Sequence, residues 1–297
     1  MKIQIKKIQK LDNIPSASGI EAVGEYLFII GDDSNILFIL KNDEICFKIQ
    51  LYEVKSPIQD NRIKKKEKKD LESITKINFK GEDYILIAGS GSKEKREDAY
   101  LVKAIPPFES TNYPLHDFYS TLKTNQDIVG DRKLNIEGLA VLNDLVFFFQ
   151  RGNISGINVV ISMKCASFLS YITQESLDFP DYEIQNFKLP NINNILSGFS
   201  GASGIEGTTS ILFTASVENT SDEIDDGANL GSFIGLMDLN KQNEKLVIEQ
   251  IIFEEKEYLG KIESIAISKI IDNKLIAYSV TDNDLGDSDM LELEIIL

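Results

Sequence analysis

Short apolar runs recur along the whole chain, and turn-forming residues separate them. Tyr26 to Ile30 is one such run, Gly31 to Ser34 is typical of a turn, and Ile36 to Leu40 is the next run. Runs of this length, bounded by Gly, Asp, Asn and Ser, predict β-strands joined by tight connections. Because the same alternation continues to the C-terminus, we predict an all-β protein.

The predicted strands fall into five groups, and each group begins near a glutamate that follows Ile or Leu and precedes a small residue. These glutamates are Glu21, Glu72, Glu137, Glu206 and Glu263. Consecutive glutamates are roughly 50 to 70 residues apart. The count from Glu263 to the C-terminus and on from the N-terminus to Glu21 falls in the same range, which is typical of a circular array of sheets. We therefore predict that residues 1–297 form one five-bladed β-propeller domain with four-stranded blades. The innermost strands are predicted to start near residues 20, 72, 137, 206 and 263.

Two segments leave the strand count open. The last group is one strand short, whereas residues 2–10 alternate between apolar and polar positions and belong to no group. We predict that this N-terminal strand completes the last blade, because that closes the ring and removes a free sheet edge. Residues 106–130 are weakly patterned and could hide a sixth blade, so a six-bladed ring is the alternative. A short helix is predicted within residues 166–180.

Composition narrows the classes of partner. The chain has 31 basic and 47 acidic residues and a net charge of −16. This charge disfavours nucleic acid and anionic membranes as partners, because both need a basic surface. Two cysteines and one histidine do not form the ligand patterns of a zinc site or a disulfide framework. We see no signal peptide and no long apolar span, which predicts a cytoplasmic protein unless a leader has been lost, and we expect a monomer.

The five glutamates are the main candidates for chemistry. In a propeller the innermost strands line a central channel, so glutamates at their starts are predicted to ring one mouth. Two carboxylates about 5 Å apart repel by roughly 3 kcal/mol at an effective dielectric near 20. The ring must therefore take up protons, pair with basic side chains or bind a cation. Oxygen ligands without His or Cys favour Ca²⁺, with Mg²⁺ or Mn²⁺ as alternatives. The structural alternative is that each Glu accepts backbone N–H bonds.

The loops that follow the second strand of each blade should open at the same mouth. They are polar and contribute further candidates for binding a small anionic molecule or a protein. The candidate residues are Asp33, Ser90, Lys93, Arg151, Glu218 and Asp282. No nucleophile–His pair or Gly-rich phosphate loop is present, so no catalytic residue is assigned.

The five glutamate motifs resemble those that open the blades of calcium-activated nucleotidases (apyrases), which are five-bladed propellers with a central Ca²⁺ held by Glu and Ser side chains. They are also similar to those of phytase-like and SdiA-regulated-type bacterial propellers. The resemblance implies a bacterial propeller with a channel metal at the five glutamates, together with Ser73 and Ser264. Two functions follow as hypotheses. One is a metal-dependent hydrolase of phosphoesters or phosphoanhydrides, and the other is a non-catalytic binding propeller with a structural cation.

Overall fold

The protein is a five-bladed β-propeller in which five antiparallel sheets are arranged in a ring. The structure is a computed structural model that describes residues 1–152, 154–220, 227–240, 246–282 and 286–297. Within these residues, no helix is long and apolar enough to cross a membrane.

The strands follow the chain blade by blade, after an N-terminal strand β1 (Lys2–Lys10). Blade 1 consists of β2 (Ala17–Val23), β3 (Tyr26–Gly31), β4 (Ile36–Lys41) and β5 (Glu44–Gln50). Blade 2 consists of β6 (Leu71–Phe79), β7 (Glu82–Gly89), β8 (Asp98–Lys103) and β9 (Ser110–Pro114). Blade 3 consists of β10 (Ile136–Leu142), β11 (Leu145–Gln150), β12 (Asn158–Lys164) and β13 (Tyr182–Phe187).

The last two blades depart slightly from this plan. Blade 4 consists of β14 (Asn191–Ile192), β15 (Ile195–Gly204), β16 (Ser210–Asn219), β17 (Ala228–Asp238) and β18 (Val247–Gln250). A small hairpin of β19 (Ile252–Phe253) and β20 (Lys256–Glu257) follows. Blade 5 consists of β21 (Lys261–Ile271), β22 (Lys274–Asp282) and β23 (Ser288–Ile296), and β1 is its fourth strand.

The ring closes through the N-terminal strand, as predicted. Strand β1 pairs antiparallel with β23, with Ile5 opposite Leu293, and both side chains lie in the core of this blade. Closure in this way pairs the backbone of both chain ends and leaves no open edge between the last blade and the first.

The six-bladed alternative is wrong. Residues 106–130 contain β9, the outer strand of blade 2, and then helices α1 (His116–Thr124) and α2 (Gln126–Val129). Helix α1 buries Phe118, Tyr119 and Leu122 in the core shared by blades 2 and 3. The predicted helix within residues 166–180 is α3 (Cys165–Ile172), which packs into the same core. The weak strand pattern therefore reflects two helices, because an apolar stripe on a helix lacks the period of two.

Each innermost strand carries a β-bulge near the start of its pairing with the second strand, where one residue has no partner opposite. The five bulged residues are Ser18, Glu72, Glu137, Ser200 and Glu263. A bulge re-aims its side chain, so these five positions are the true structural repeat of the ring. Small residues follow the bulges because neighbouring innermost strands lie close together. A Cβ atom on Gly201 would lie 2.6 Å from Ser264 Cα of the next blade.

The predicted start of the fourth innermost strand near residue 206 is wrong. This strand is β15, which ends at Gly204, and Glu206 lies in the turn that follows it. In that turn the Thr208 N–H donates to Ile205 O, and Gly207 has φ +75. Strand β15 escaped prediction because eight of its ten residues, Ser197–Gly204, form a segment that is rich in Gly and Ser and lacks an apolar run.

Candidate metal centre

The predicted ring of five glutamates is divided between the two ends of the channel. We define the upper mouth as the end where the innermost strands begin and β3, β7, β11, β16 and β22 finish. Glu72, Glu137 and Glu263 lie there as bulged residues. Glu21 and Glu206 lie at the lower mouth, where both line a cavity of about 600 Å³ formed by the far ends of all five innermost strands. The prediction of a single ring of five glutamates is therefore wrong for Glu21 and Glu206. Both lie farther from the start of the innermost strand than the other three glutamates do.

Serines occupy the corresponding upper positions in blades 1 and 4. The Ser18 hydroxyl donates to Leu71 O at 2.6 Å, and the Ser200 hydroxyl donates to Ile262 O at 2.7 Å. Each acceptor belongs to the innermost strand of the next blade. Serine at the bulge thus joins neighbouring blades, whereas glutamate at the bulge brings a negative charge to the mouth.

The two lower glutamates have structural partners. Glu21 accepts hydrogen bonds from the backbone N–H groups of Ala22 and Lys76, both at 2.8 Å, as the structural alternative predicts. Burial raises the pKa of Glu21 above its ordinary value. Glu206 is 75% exposed and pairs with Lys76 Nζ at 2.5 Å. These contacts connect blades 1, 2 and 4 around the lower mouth.

Three carboxylates meet at the upper mouth between blades 1 and 2. Asp32 follows β3, Asp70 precedes β6 and Glu72 is the bulged residue of β6. One carboxylate oxygen from each lies within 4.8 Å of the others. Of these three residues, only Glu72 was predicted to be a metal ligand. The available signals were the acidic pair after β3 and the Asp that directly precedes the motif in blade 2.

Cationic and hydroxyl groups hold the two aspartates from outside the cluster. Asp70 Oδ2 accepts from the Ser90 hydroxyl at 2.6 Å and from Arg96 Nη1 at 2.5 Å. Asp32 Oδ2 accepts from Lys68 Nζ at 3.0 Å, while Asp32 Oδ1 is buried and receives no hydrogen bond within the described part of the chain. Each aspartate thus has one oxygen fixed, while its other oxygen accepts no hydrogen bond from a described residue.

Glu72 differs from the other glutamates of the upper mouth because no described residue donates a hydrogen bond to it or forms an ion pair with it. Burial raises the pKa of Glu72 well above its ordinary value, and the nearby carboxylates of Asp70, Glu137, Asp32 and Glu263 raise it further. Burial is also the main cause that raises the pKa of Asp32 to about 7, against the pull of Lys68. The cluster therefore concentrates negative charge without a matching positive charge at its centre.

Glu137 and Glu263, in contrast, belong to a buried network with two cations. Arg151 lies 2.9 Å from Glu218 and 3.4 Å from Glu137. Lys261 lies 2.5 Å from Glu218 and 2.9 Å from Glu263. Burial would raise the pKa of Glu218, but Arg151 and Lys261 outweigh it and lower that pKa. Burial outweighs the same two cations at Glu137 and Glu263 and raises the pKa of both carboxyls. This side of the mouth thus combines pairing with basic side chains and uptake of protons, two of the outcomes expected for crowded carboxylates.

The other predicted site residues lie around this mouth in several roles. Asp33 pairs with Arg62 and Lys68, and Lys93 is exposed on the loop before a 3₁₀ turn. Asp282 ends β22 and is half-buried. Ser73 donates to Ala88 O at 3.3 Å, and Ser264 is buried beside Gly201. Among the described residues, neither serine forms a hydrogen bond with the three clustered carboxylates.

Comparison with known proteins places the chain in a family. A model described as a family of unknown function (DUF6929) matches residues 13–295. The chain belongs to this family. No curated protein matches it.

Several solved structures are similar to this DUF6929 protein. Glutaminyl cyclase from Myxococcus xanthus is 9% identical, covers 99% of this chain and 97% of its own, and has a TM-score of 0.51. A member of the DUF4221 family from Bacteroides vulgatus is 8% identical, and the match covers 100% of this chain and 99% of that one, with a TM-score of 0.44. Virginiamycin B lyase from Staphylococcus aureus is 12% identical, and the match covers 99% of this chain and 100% of that one, with a TM-score of 0.40. At 9% identity the likeness to the glutaminyl cyclase concerns the fold alone, so function must be argued from the site.

Proposed function

We propose that this protein is a metal-binding β-propeller that holds one divalent cation at the upper mouth, between Asp32, Asp70 and Glu72. The observation that carries the proposal is the Glu72 carboxylate, which has no described donor and faces two other carboxylates within 4.8 Å. Carboxylate oxygens without His or Cys suit hard cations. Ca²⁺ is the first choice, and Mg²⁺ or Mn²⁺ are the alternatives.

The surroundings of the cluster support this assignment. Arg96 and Ser90 bind one oxygen of Asp70, and Lys68 binds one oxygen of Asp32. These contacts orient the two carboxylates while the remaining Asp32 oxygen stays buried and unpaired among the described residues. Outer partners of this kind fix the direction of metal ligands. We therefore propose a cation site between two blades in place of the predicted ring of five glutamates.

Calorimetric titration of EDTA-stripped protein with Ca²⁺ tests the proposal. Wild-type protein should bind one ion, and Glu72→Gln should weaken binding at least tenfold because it removes one charged ligand. Glu206→Gln is the matched control, since Glu206 lies at the lower mouth and should leave binding unchanged. Equal Ca²⁺ affinity in wild type and Glu72→Gln, or no binding of Ca²⁺, Mg²⁺ or Mn²⁺, would reject the site.

A second candidate function is hydrolysis of phosphoesters or phosphoanhydrides at the bound cation. Its support is the small number of protein ligands, because Ca²⁺ takes six to eight oxygens and three carboxylates leave positions for water and a substrate oxygen. At this mouth Lys68, Arg96 and Arg151 pair with carboxylates, whereas Lys93, in the loop after β7, is exposed and forms no ion pair with a described residue. In this second function Lys93 would contact the small anionic substrate.

Assays with p-nitrophenyl phosphate and nucleoside diphosphates, with Ca²⁺ and with EDTA, separate the two functions. Cation-dependent turnover that falls in Glu72→Gln would support the hydrolase. If Ca²⁺ binds but none of these substrates is turned over, the non-catalytic alternative is favoured. In that case the cation stabilises the mouth, and the loops around it bind a ligand or a protein partner.

A further inference from the structure

A second cavity lies far from the metal cluster, on the lower face between blades 2 and 3. It has a volume of about 760 Å³ and is bounded by the β6–β7 turn, the β10–β11 turn and helix α3. Phe79, Leu145, Ala166 and Leu169 form its apolar walls. A volume of this size lies within the range of small-molecule sites, which are mostly apolar with a few polar groups at fixed positions. We call this cavity the α3 cleft.

Two lysines stand at the rim of the α3 cleft. Lys164 is exposed and forms no ion pair with any residue in the described part of the chain. Lys80 pairs with Glu175 of the opposite rim at 2.5 Å, and its Nζ lies 4.9 Å from the centre of the Phe79 ring. Asp144 is the other acidic residue of the rim and is exposed. The rim thus offers one unpaired cation and one cation in a weak surface pair.

The Lys80–Glu175 pair can exchange partners at low cost. Its side chains are 64% and 46% exposed, and exposed ion pairs contribute little free energy because water and salt screen them. An anionic group of a ligand can therefore replace Glu175 on Lys80 with little loss, while the apolar part of the ligand gains by leaving water. Glu175 thus competes with the anionic group of the ligand for Lys80.

Covalent chemistry is not expected in this cleft. Cys165 lies in its wall, but burial raises the pKa of the thiol to about 12, so the reactive thiolate is scarce at neutral pH. The cleft is therefore suited to reversible binding.

We propose that the α3 cleft binds a small organic anion with an apolar body. The body packs against Phe79, Leu145 and Leu169, and the acid group contacts Lys164 and Lys80. The ligand class follows from the combination of apolar walls with basic rim residues, and it does not depend on a metal at the upper mouth.

Fluorescence titration of the full chain with 1-anilinonaphthalene-8-sulfonate, an anion with an apolar body, tests the proposal. Wild-type protein should show saturable binding at one site, equal in Ca²⁺ and in EDTA. Lys164→Gln should weaken it by about 1.5- to fivefold, the effect of one exposed ion pair, and Glu175→Gln should strengthen it by a similar factor because Lys80 becomes free. Decanoate, a carboxylate with an apolar chain, should displace the probe competitively.

Two further variants control the test. Ala166→Phe fills the cleft from an exposed position and should abolish binding, whereas Lys188→Gln removes an exposed lysine elsewhere and should have no effect. The absence of saturable binding by wild type, or unchanged binding by Ala166→Phe, would overturn the proposal. Opposite signs for Lys164→Gln and Glu175→Gln would support it even if Ala166→Phe failed to fold, and equal effects of both would contradict it.

Discussion

Glu72→Gln should change the stability of the metal-free and the calcium-bound protein in opposite directions. Gln has nearly the shape of Glu but no charge, so the substitution removes the charge from the centre of the cluster without creating a cavity. In the metal-free protein this relieves repulsion and should raise stability. With Ca²⁺ present it removes a ligand and should lower the stabilisation by the ion.

The size of the first effect follows from the distances in the cluster. Two unit charges separated by 4.8 Å, the largest separation in the cluster, repel by about 3.5 kcal/mol at an effective dielectric near 20. Glu72→Gln removes two such pairs, with Asp32 and with Asp70, so it would relieve about 7 kcal/mol of repulsion if all three groups were ionised. Wild type already escapes part of this repulsion by taking up protons, as the raised pKa values of Asp32 and Glu72 indicate. We therefore expect a gain of about 1–3 kcal/mol at pH 8.

Thermal unfolding monitored by circular dichroism measures both effects. In EDTA at pH 8 the variant should melt above wild type, with about 2–4 °C for each kcal/mol. Ca²⁺ at 100 times its Kd should stabilise wild type by about 2.7 kcal/mol, and at the same concentration it should stabilise the variant much less.

Glu206→Gln serves as the control for the substitution itself. It removes an exposed charge at the lower mouth, so its melting point should change little and its response to Ca²⁺ should equal that of wild type. If Glu72→Gln melts below wild type in EDTA, the Glu72 carboxylate is stabilised by groups of the protein, and the charge argument for a cation at this position fails.

Two other predictions concern the upper mouth and the ring. Burial raises the pKa of Glu263 to about 8 from an ordinary value of 4.5. The folded protein therefore holds this proton more tightly than the unfolded chain. The contribution of this proton to the free energy of unfolding is fully present below pH 4.5, and it falls by a few kcal/mol as the pH rises to about 8. Urea unfolding of Glu263→Gln should not show this fall. Gly201→Ala should lower the free energy of unfolding by about 1–3 kcal/mol, because its Cβ would lie 2.6 Å from Ser264 Cα. Gly207→Ala, in an open turn, should cost only its backbone strain of about 1 kcal/mol, and a larger loss there than at Gly201 would contradict the packing argument.

Local patterns were sufficient for most of the fold. Apolar runs of strand length, such as Tyr26 to Ile30, and the turn residues after them determine where strands begin and end, because these preferences act over a few residues. The number of blades and the closure by residues 2–10 followed from counting strands in each repeat. Strand β15 was not predicted because Gly and Ser interrupt its apolar pattern. Helix α1 was not predicted because its apolar residues follow the helical period.

Tertiary structure decided which acidic residues meet. Ser18–Glu21 and Ser203–Glu206 have identical sequences, yet Ser18 lies near the start of an innermost strand and Ser203 lies near the end of another. Strand register depends on pairing with distant residues, and nothing within four residues encodes it. The metal cluster likewise combines Asp32 of blade 1 with Asp70 and Glu72 of blade 2, while Arg151 and Lys261 form ion pairs with Glu137 and Glu263. The sequence therefore determined that carboxylates would gather at a propeller mouth. The packing of blades determined which of them lack a positive partner, because charge compensation depends on distances between residues far apart in the chain.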